Sequence, residues 1–361
     1  MIRQHLPGNG QACTVSPGIS PLERFAAPGR RQQAVHPIRR CRVESPSHKE
    51  YHVFGLPFDG NGRFYRGNIH THSTNSDGRL SPAEVVAAYR DEGYDFIALT
   101  DHFLERYDYP VSDTSAFRTD GFTTIFGAEL HAPALDNGQN WHIVAAGLPL
   151  DFPPTGDQES GPELAARAIA AGAFVGIAHP AWYGVKMRDV ESIEDAHAIE
   201  IFNTGHRADA DRGDGWYMAD LMTMEGRRIL GYAADDAHFN GRPDHFGGWV
   251  MVRSEAPTPE ALLEALKDGQ FYSSQGPTIE HVGIEDDRIV VRCSPAASIH
   301  AGGRPPLNKY LFAEEGQTVT EASFALDAFA GESCRITVID EQGRRAWTNP
   351  FWLDAWGPGI G

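Results

Sequence analysis

Histidines and carboxylates recur in short groups along the middle of this 361-residue chain. The first group is His70-Thr71-His72, which Asp77 follows in the same polar stretch. Two histidines at positions i and i+2 of an extended segment point to the same side, because side chains alternate along a strand. Both imidazoles can then reach one metal ion, and the carboxylate of Asp77 can supply an oxygen ligand. This spacing predicts a metal site.

Further groups follow at the ends, and in one case at the start, of predicted strands. They are Asp101-His102, Glu129 with His131, His142, His179, and Asp235-Asp236 with His238. The carboxyl ends of parallel strands meet at one edge of a sheet, where α/β proteins place their sites. We therefore expect six of the 16 histidines and three carboxylates to converge there. Mixed imidazole and carboxylate ligands favour Zn²⁺, Mn²⁺ or Fe²⁺ over Ca²⁺ or Mg²⁺.

A repeating strand-then-helix pattern carries these groups. Ser81-Pro82-Ala83-Glu84 is a capping box that begins an amphipathic helix, and Gly93 ends it. We predict further helices at 162–171, at about 216–225 and from 259. We predict strands at 64–70, 95–100, 123–127, 142–148, 174–178, 198–202, 229–233 and 249–253. This alternation suits either a closed α/β barrel or an open doubly wound sheet.

Two segments of different composition flank this region. Residues 1–49 hold eight basic and two acidic residues and little apolar pattern, which predicts a flexible basic extension. After Gly276 the chain shows short alternating segments without helical periodicity, which predicts a small antiparallel β domain. The expected organisation is an extension over 1–49, a catalytic body over 50–275 and a β-rich domain over 276–361.

Composition excludes several classes of partner. The net charge of −18 argues against binding to long nucleic acid or to anionic lipid. No stretch approaches the roughly 18 consecutive apolar residues that a membrane span needs. The four cysteines lie far apart without a Cys-x-x-Cys pair, so we expect neither a zinc knuckle nor a redox dithiol. We expect a cytoplasmic protein, and the sequence leaves its oligomeric state open.

The order of the motifs resembles the PHP family, the polymerase and histidinol phosphatase domain. The motifs are His-x-His-Ser-x-x-Ser-Asp-Gly from residue 70, then Thr-Asp-His, a glutamate, a single histidine, Ala-His-Pro and Asp-Ala-His. The resemblance covers about residues 66–275. It implies a distorted (β/α)₇ TIM-like barrel, the PHP fold, with two or three divalent ions in its mouth. Asp77 stands in a loop where some members have histidine. An aspartate in this loop resembles the pattern of the small-nucleotide phosphatase branch.

The resemblance also implies a set of ligands for each ion. One metal would be held by His70, His72, Glu129 and Asp236. Glu129 would bridge to a second metal, which His142 and His179 complete. A third metal would be held by Asp77, His102 and His238. The expected ions are Mn²⁺, Fe²⁺ or Zn²⁺.

These expectations define a hydrolase mechanism. Two ions bridged by a carboxylate, about 3.5–4 Å apart, would share a water molecule. The pKa of this water would fall from about 15.7 towards about 7, and the resulting hydroxide would attack the phosphate ester. Glu129, Asp236 and His238 would organise the metals and this hydroxide, and His206 is the candidate proton donor. Candidate phosphate contacts are Arg207, Lys186 and Arg242. We expect Asp101, Asp235 and His131 to orient ligand imidazoles.

Three functions remain open from the sequence. The first is a metal-dependent phosphoric ester hydrolase that acts on a small phosphorylated metabolite or nucleotide. The second is a metal-dependent hydrolase of a C–N or lactone bond, against which the lack of a lysine placed after a strand as a carbamate bridge counts. The third is a non-catalytic, metal-stabilised binding scaffold.

Overall fold

The structure is a computed structural model that describes residues 41–43, 51–54, 56–329 and 331–355. Most of the predicted extension over 1–49 therefore lies outside the described residues. Six α-helices occur in the described part: α1 (Pro82–Asp91), α2 (Gly161–Ala170), α3 (Met187–Ser192), α4 (Thr204–Ala210), α5 (Trp216–Met224) and α6 (Pro259–Lys267). No helix in these ranges is long and apolar enough to cross a membrane.

Twelve strands precede residue 275 in the described ranges. They are β1 (Cys41–Val43), β2 (Tyr51–Phe54), β3 (Arg63–Asn68), β4 (Phe96–Leu99), β5 (His102–Phe103), β6 (Thr123–Ala132), β7 (Trp141–Ala146), β8 (Phe174–Ile177), β9 (Ala198–Asn203), β10 (Leu230–Ala234), β11 (Trp249–Ser254) and β12 (Phe271–Ser274). The capping box predicted at the start of α1 is confirmed, since Ser81 and Glu84 bond each other's backbone N–H groups. Short 3-10 helices and α3 and α4 were not predicted.

Nine strands around the site form one continuous ladder, and the short strand β5 pairs with β6 beside it. Its order is β12, β11, β3, β4, β6, β7, β8, β9, β10. The pairs β3–β4, β4–β6, β8–β9 and β9–β10 are parallel, and the other four are antiparallel. At the two ends, Ser273 of β12 bridges to β10, because its Oγ accepts from the Ala233 N–H at 2.9 Å and donates to the Gly231 carbonyl at 3.0 Å. The protein is thus a mixed α/β protein with parallel strands.

Strand β7, like β11, departs from the parallel arrangement expected for the predicted strands. It pairs antiparallel with both β6 and β8, with His131 opposite His142. The connection over 133–140 is shorter than the dozen or so residues that a parallel crossover needs, so the chain must turn back. The start of β7 consequently lies at the same edge as the end of β6. This is why His142, at a strand start, lies beside groups from strand ends.

The strands after residue 275 all pair antiparallel. They are β13 (Ile279–Glu285), β14 (Arg288–Ala296), β15 (Ser298–Gly303), β16 (Asn308–Phe312), β17 (Val319–Ala325), β18 (Ser333–Ile339), β19 (Arg345–Thr348) and β20 (Phe351–Ala355). β13, β14 and β17 form a separate three-stranded sheet. β19 pairs with β12, which connects the other C-terminal strands to the ladder. The domain boundary at residue 276 stays a prediction.

A layer of buried apolar side chains packs beneath the histidines and carboxylates. Ile69, Ala178 and Ala234 are fully buried in one hydrophobic cluster. They immediately precede His70, His179 and Asp235, so the chain passes from the core to the polar edge within one residue. Close packing of this layer fixes the strand ends, and hence the positions of the side chains that follow.

Candidate metal centre

Glu129, near the end of β6, is the centre of the site and is completely buried. Six imidazoles surround its carboxylate. Its Oε1 lies 2.8 Å from Nδ1 of His142, 3.1 Å from Nε2 of His179 and 3.7 Å from Nε2 of His70. Its Oε2 lies 2.6 Å from Nδ1 of His102, 3.6 Å from Nε2 of His72 and 3.7 Å from Nε2 of His131. Such a position suits a carboxylate that bridges cations.

Asp236, just after β10, is a second buried carboxylate in the same site. Its Oδ1 lies 2.9 Å from Nε2 of His72 and 3.4 Å from Nε2 of His70. Its Oδ2 lies 3.1 Å from Nε2 of His206 and 3.9 Å from Nε2 of His179. His70, His72 and His179 thus lie between two carboxylates from opposite parts of the sequence.

Asp77 forms the outer part of the cluster. Its Oδ1 lies 3.3 Å from Nε2 of His102 and 3.2 Å from Nε2 of His238, and its side chain is 40% exposed. His72 stacks between these two imidazoles, with ring centroids 4.3 Å from each. The structure therefore brings all nine sequence-predicted metal ligands into one cluster.

The loop that carries Asp77 is held by Asp101. Asp101 accepts hydrogen bonds from the backbone N–H of Ser73 at 2.7 Å, from its hydroxyl at 2.8 Å and from the hydroxyl of Ser76 at 2.8 Å. Within the described ranges, its hydrogen-bond partners are loop groups and no imidazole, so the predicted role of orienting a ligand ring is wrong. Asp101 instead fixes the loop, because a buried carboxylate must be paired with donors.

Asp235 has a comparable role at the other side of the site. This buried carboxylate accepts from Tyr89 of α1 at 2.9 Å, from the Thr204 hydroxyl at 2.7 Å and from the N–H groups of residues 246–248 at 2.8–3.1 Å. Here too the described part of the chain shows no hydrogen bond to an imidazole, which contradicts the predicted role. Asp235 joins β10 to the loop that follows it and to two helices, which places Asp236 and His238.

Glu200 is a functional residue that the sequence motifs did not mark. It lies within β9, is 1% exposed, and its Oε1 is 2.9 Å from Nδ1 of His70. Its Oε2 accepts from the backbone N–H of His179 at 2.7 Å and from Nδ2 of Asn203 at 2.9 Å. Such a partner leaves Nε2 of His70 as the free lone pair that faces the site. The available signal was a single carboxylate inside the apolar strand Ala-Ile-Glu-Ile-Phe.

Two candidate ligands have unusual backbone conformations. His179 has φ +23° and Asp236 has φ +55°, in the left-handed region that non-glycine residues rarely adopt. Each such residue costs on the order of 1–3 kcal/mol, and such strain clusters at functional sites. The surrounding hydrogen bonds, including that of Glu200 to the His179 N–H, hold these conformations in place.

The charges of the site are strongly coupled. Burial raises the pKa of Glu129, but the imidazoles, His102 foremost, outweigh it and hold this pKa well below its usual value. Burial lowers the pKa of His102, yet Glu129 and Asp77 raise it to about 10. The pKa of His238 rises to about 9 against burial, through Asp77. Burial and the charges of the His102 and His238 imidazoles lower the pKa of His72 to about 3. Buried anions here depend on nearby positive charge, which divalent ions supply.

The donor set fits divalent cations. The buried Nε2 of His70 lies near both Glu129 and Asp236 but has no hydrogen-bond partner among the described residues. Such atoms are costly to bury unless something binds them. Five groups of three or four side chains hold their ligand atoms within 4.8 Å of one another. Imidazoles and carboxylates grouped in this way are what Mn²⁺, Fe²⁺ or Zn²⁺ binds.

Two further histidines belong to these groups. His131 forms a group with His102 and Glu129, and His206 forms one with His179 and Asp236. The sequence analysis placed His131 behind the ligands and His206 as a proton donor. The geometry makes both of them additional candidates for metal ligation.

A cavity of about 410 Å³ opens over the cluster. Of the three predicted phosphate contacts, Arg242 lines this cavity, and it pairs with Asp209 at 2.9 Å. Lys186 and Arg207 are not brought to the cavity, and their exposed side chains pair with Asp136 and Asp211.

Arg106, which the sequence analysis did not consider, also lines the cavity. It is exposed, packs over the ring of Tyr107 at 4.6 Å, and has no carboxylate partner in the described part of the chain. Its guanidinium is therefore available for an anion. No motif marks it, since it lies in a short 3-10 helix over Glu105–Tyr107 after the site strand β5.

No family model and no curated protein matches this sequence. Solved structures that resemble this one in part include a two-domain Bacteroides vulgatus protein containing a predicted PHP-like metal-dependent phosphoesterase. It has 15% identity and a TM-score of 0.46, covering 89% of this chain and 100% of that one. A Chromobacterium violaceum amidohydrolase with bound sulfate has 17% identity and TM-score 0.37, covering 48% and 87%. One further match, described as one of the metal-dependent tyrosine phosphatases YwqE from Bacillus subtilis and CpsB from Streptococcus pneumoniae, has 16% identity and a TM-score of 0.31. It covers 56% of this chain and 86% of that one. Likenesses of this strength carry no argument about what this chain does.

Proposed function

We propose that this protein is a metal-dependent phosphoesterase of the PHP type that hydrolyses a phosphate ester of a small metabolite or nucleotide. The observation that supports it most is the buried carboxylate of Glu129, which six imidazoles surround at 2.6–3.7 Å. A buried cluster of this kind has few structural explanations, because every imidazole and carboxylate in it loses hydration. Cation binding offsets the free-energy cost of that lost hydration.

The residues that would hold the cations are those of the sequence-implied set. We assign His70, His72, Glu129 and Asp236 to one ion, His142 and His179 with Glu129 to a second, and Asp77, His102 and His238 to a third. When bound, such ions polarise phosphoryl oxygens and lower the pKa of coordinated water. Mn²⁺, Fe²⁺ and Zn²⁺ remain the candidate ions.

The chain's own residues bind and orient the substrate. Arg106 and Arg242 present guanidinium groups at the cavity, and guanidinium pairs well with phosphate oxygens. Trp182 lines the cavity and stacks on His206, with ring centroids 4.2 Å apart. This stack holds His206 at the cavity wall, where its imidazole can donate a proton to the leaving oxygen.

The arrangement of the strands supports this proposal. A ladder of nine strands whose ends are bridged through Ser273 is compatible with a distorted (β/α)₇ barrel. The aspartate at position 77 favours the small-nucleotide branch of the family. We therefore propose small nucleotides as the first substrates to test.

The decisive test combines metal content with phosphate release. We expect purified protein, stripped and reloaded with Mn²⁺, Fe²⁺ or Zn²⁺, to release phosphate from a panel of phosphorylated metabolites and nucleotides. Glu129→Gln should lose bound metal and lower phosphate release by at least about 100-fold, since it removes the shared ligand. His281→Ala, which alters a histidine of β13 in the C-terminal strands, should retain both. Full turnover by Glu129→Gln would refute the proposal.

The same preparation separates the other functions. No lysine occurs among the described residues that line the cavity, which speaks against a carbamate-bridged hydrolase of C–N bonds. Turnover of lactones or cyclic amides with no phosphate release would favour that class. Metal uptake that stabilises the fold without any turnover across the panels would favour a scaffold.

A further inference from the structure

An exposed aromatic strand lies in the C-terminal part of the protein. Among the described residues, five large apolar side chains are markedly exposed, and three of them lie on β16: Tyr310 at 65%, Leu311 at 37% and Phe312 at 60%. Tyr310 and Phe312 lie on one face, where both rings pack against His300 at 6.3 and 5.4 Å. Apolar groups concentrated in this way on both faces of one strand indicate a surface that another molecule covers.

The outer edge of β16 is also open. β16 pairs with β15, which pairs on its other side with β18, and no other described strand pairs with β16. Its outward N–H and C=O groups can therefore pair with another strand. Edges that must remain free are usually protected by several charges, a proline or a bulge, whereas β16 carries only Lys309.

The charges around β16 form a directional pattern. Arg304 and Lys309 lie at its beginning, and Glu314 and Glu315 follow its end. All four residues are exposed, and none has an ion-pair partner in the part of the chain that the structure describes. A strand that is positive at one end and negative at the other complements an identical strand that runs antiparallel. No other partner is favoured by this pattern in the same way.

We propose that a second copy of this chain docks on β16, so that two β16 strands pair antiparallel about a two-fold axis. A register centred on Leu311 places Tyr310 opposite Phe312 of the second copy, twice over. The same register brings Lys309 towards Glu315 of the second copy, which lies in the turn after β16. Aromatic and opposite-charge cross-strand pairs stabilise such ladders, and a two-fold axis repeats each pair.

The expected dimer is weak. Five residues at about 3.4 Å each span only about 17 Å, so the contact is smaller than a standard stable interface. Association should therefore depend on concentration. β16 contributes no residue to the cavity over the metal centre, so this test is independent of the proposed phosphoesterase activity.

Sedimentation velocity on the full chain tests the proposal. Between about 1 and 200 µM, which brackets a micromolar dissociation constant, the sedimentation coefficient should rise from that of a monomer to that of a dimer. Tyr310→Ser with Phe312→Ser should remain monomeric throughout. Tyr217→Ser, which removes a 76% exposed aromatic from α5, should behave as wild type. A wild-type monomer at every concentration, or a dimer unaffected by the double change, overturns the proposal.

Charge reversal tests the register, and circular dichroism verifies that each variant folds. Lys309→Glu and Glu315→Lys should each weaken dimerisation by at least about 3-fold, because like charges then face each other across the ladder. Combining the two changes should restore the wild-type dissociation constant. Two folded single variants that are weakened, with a double variant that is not restored, would overturn the proposed antiparallel register.

Discussion

Glu200 and Arg106 act on the candidate site from outside the motifs. Glu200 lies behind the ligands, where it contacts His70 and the backbone of His179, and Asn203 connects it to Asp236 through a contact of 3.1 Å. Arg106 lies in front of the ligands, at the cavity. One residue therefore bears on metal affinity and the other on substrate affinity, and the two effects can be measured separately.

Glu200→Gln should weaken metal binding by about 10–100-fold, the range typical of residues that orient a ligand imidazole. The amide keeps the size of the side chain but cannot offer His70 a carboxylate acceptor. Metal titration followed by calorimetry measures the change. Glu191→Gln, at an exposed position of α3, is the matched control and should bind metal as wild type. Unchanged affinity in Glu200→Gln would show that Glu200 does not position His70.

Arg106→Ala should raise KM for a phosphate ester by about 10-fold with a smaller change in kcat, because it removes a charge-assisted contact made in the ground state. Arg207→Ala serves as the comparison, since Arg207 pairs with Asp211 away from the cavity and should leave KM unchanged. Steady-state kinetics on the metal-loaded enzyme measure both. A raised KM in Arg207→Ala with an unchanged KM in Arg106→Ala would instead support Arg207 as the phosphate contact, as the sequence predicted.

The loop between β3 and α1 depends on close backbone approach. Gly78 donates its N–H to the Ser73 carbonyl at 2.9 Å, and a Cβ atom at this position would lie 2.6 Å from the His72 carbonyl group. Backbone cannot yield as a flexible side chain can. Glycine at position 78 therefore lets the loop fold tightly enough to bring Asp77 beside His102 and His238.

Gly78→Ala should shift this loop and lower metal content, in particular at the outer group around Asp77. Elemental analysis of purified protein measures the loss. Gly121→Ala is the control, because a Cβ there meets nothing within 4 Å. Equal metal content in the two variants would show that the loop tolerates the methyl group.

The whole molecule couples its stability to the metal centre. Candidate ligands come from β5, β6 and β7 and from the loops after β3, β8 and β10, so cations would connect both halves of the ladder. A ligand that binds only the folded state stabilises it by about 2.7 kcal/mol at 100 times its Kd. The site therefore bears on folding as well as on catalysis.

Metal removal should accordingly lower the melting temperature by several degrees and abolish phosphate release, and both should return when Mn²⁺, Fe²⁺ or Zn²⁺ is added back. Scanning calorimetry and a phosphate assay on the same samples measure the two effects. Ca²⁺ serves as a control, because it prefers all-oxygen ligands. Turnover that persists in excess chelator would contradict the role assigned to the cluster.

The sequence alone determined the residue types at the site and the main elements that carry them. The spacing of His70 and His72, the cap at Ser81 and the single residues after buried strands are local features, and local features can be derived from periodicity and capping. The sequence analysis thus predicted the nine residues that the structure brings together.

Only the tertiary structure decided how those residues meet and what surrounds them. It made β7 antiparallel, placed Glu200 behind His70 and brought Arg106 instead of Arg207 to the cavity. It also gave Asp101 and Asp235 loop-binding roles. These outcomes depend on contacts between residues far apart in the chain, some more than 160 positions, such as His72 with Asp236. A local pattern carries no information about which distant side chain fills the space beside it.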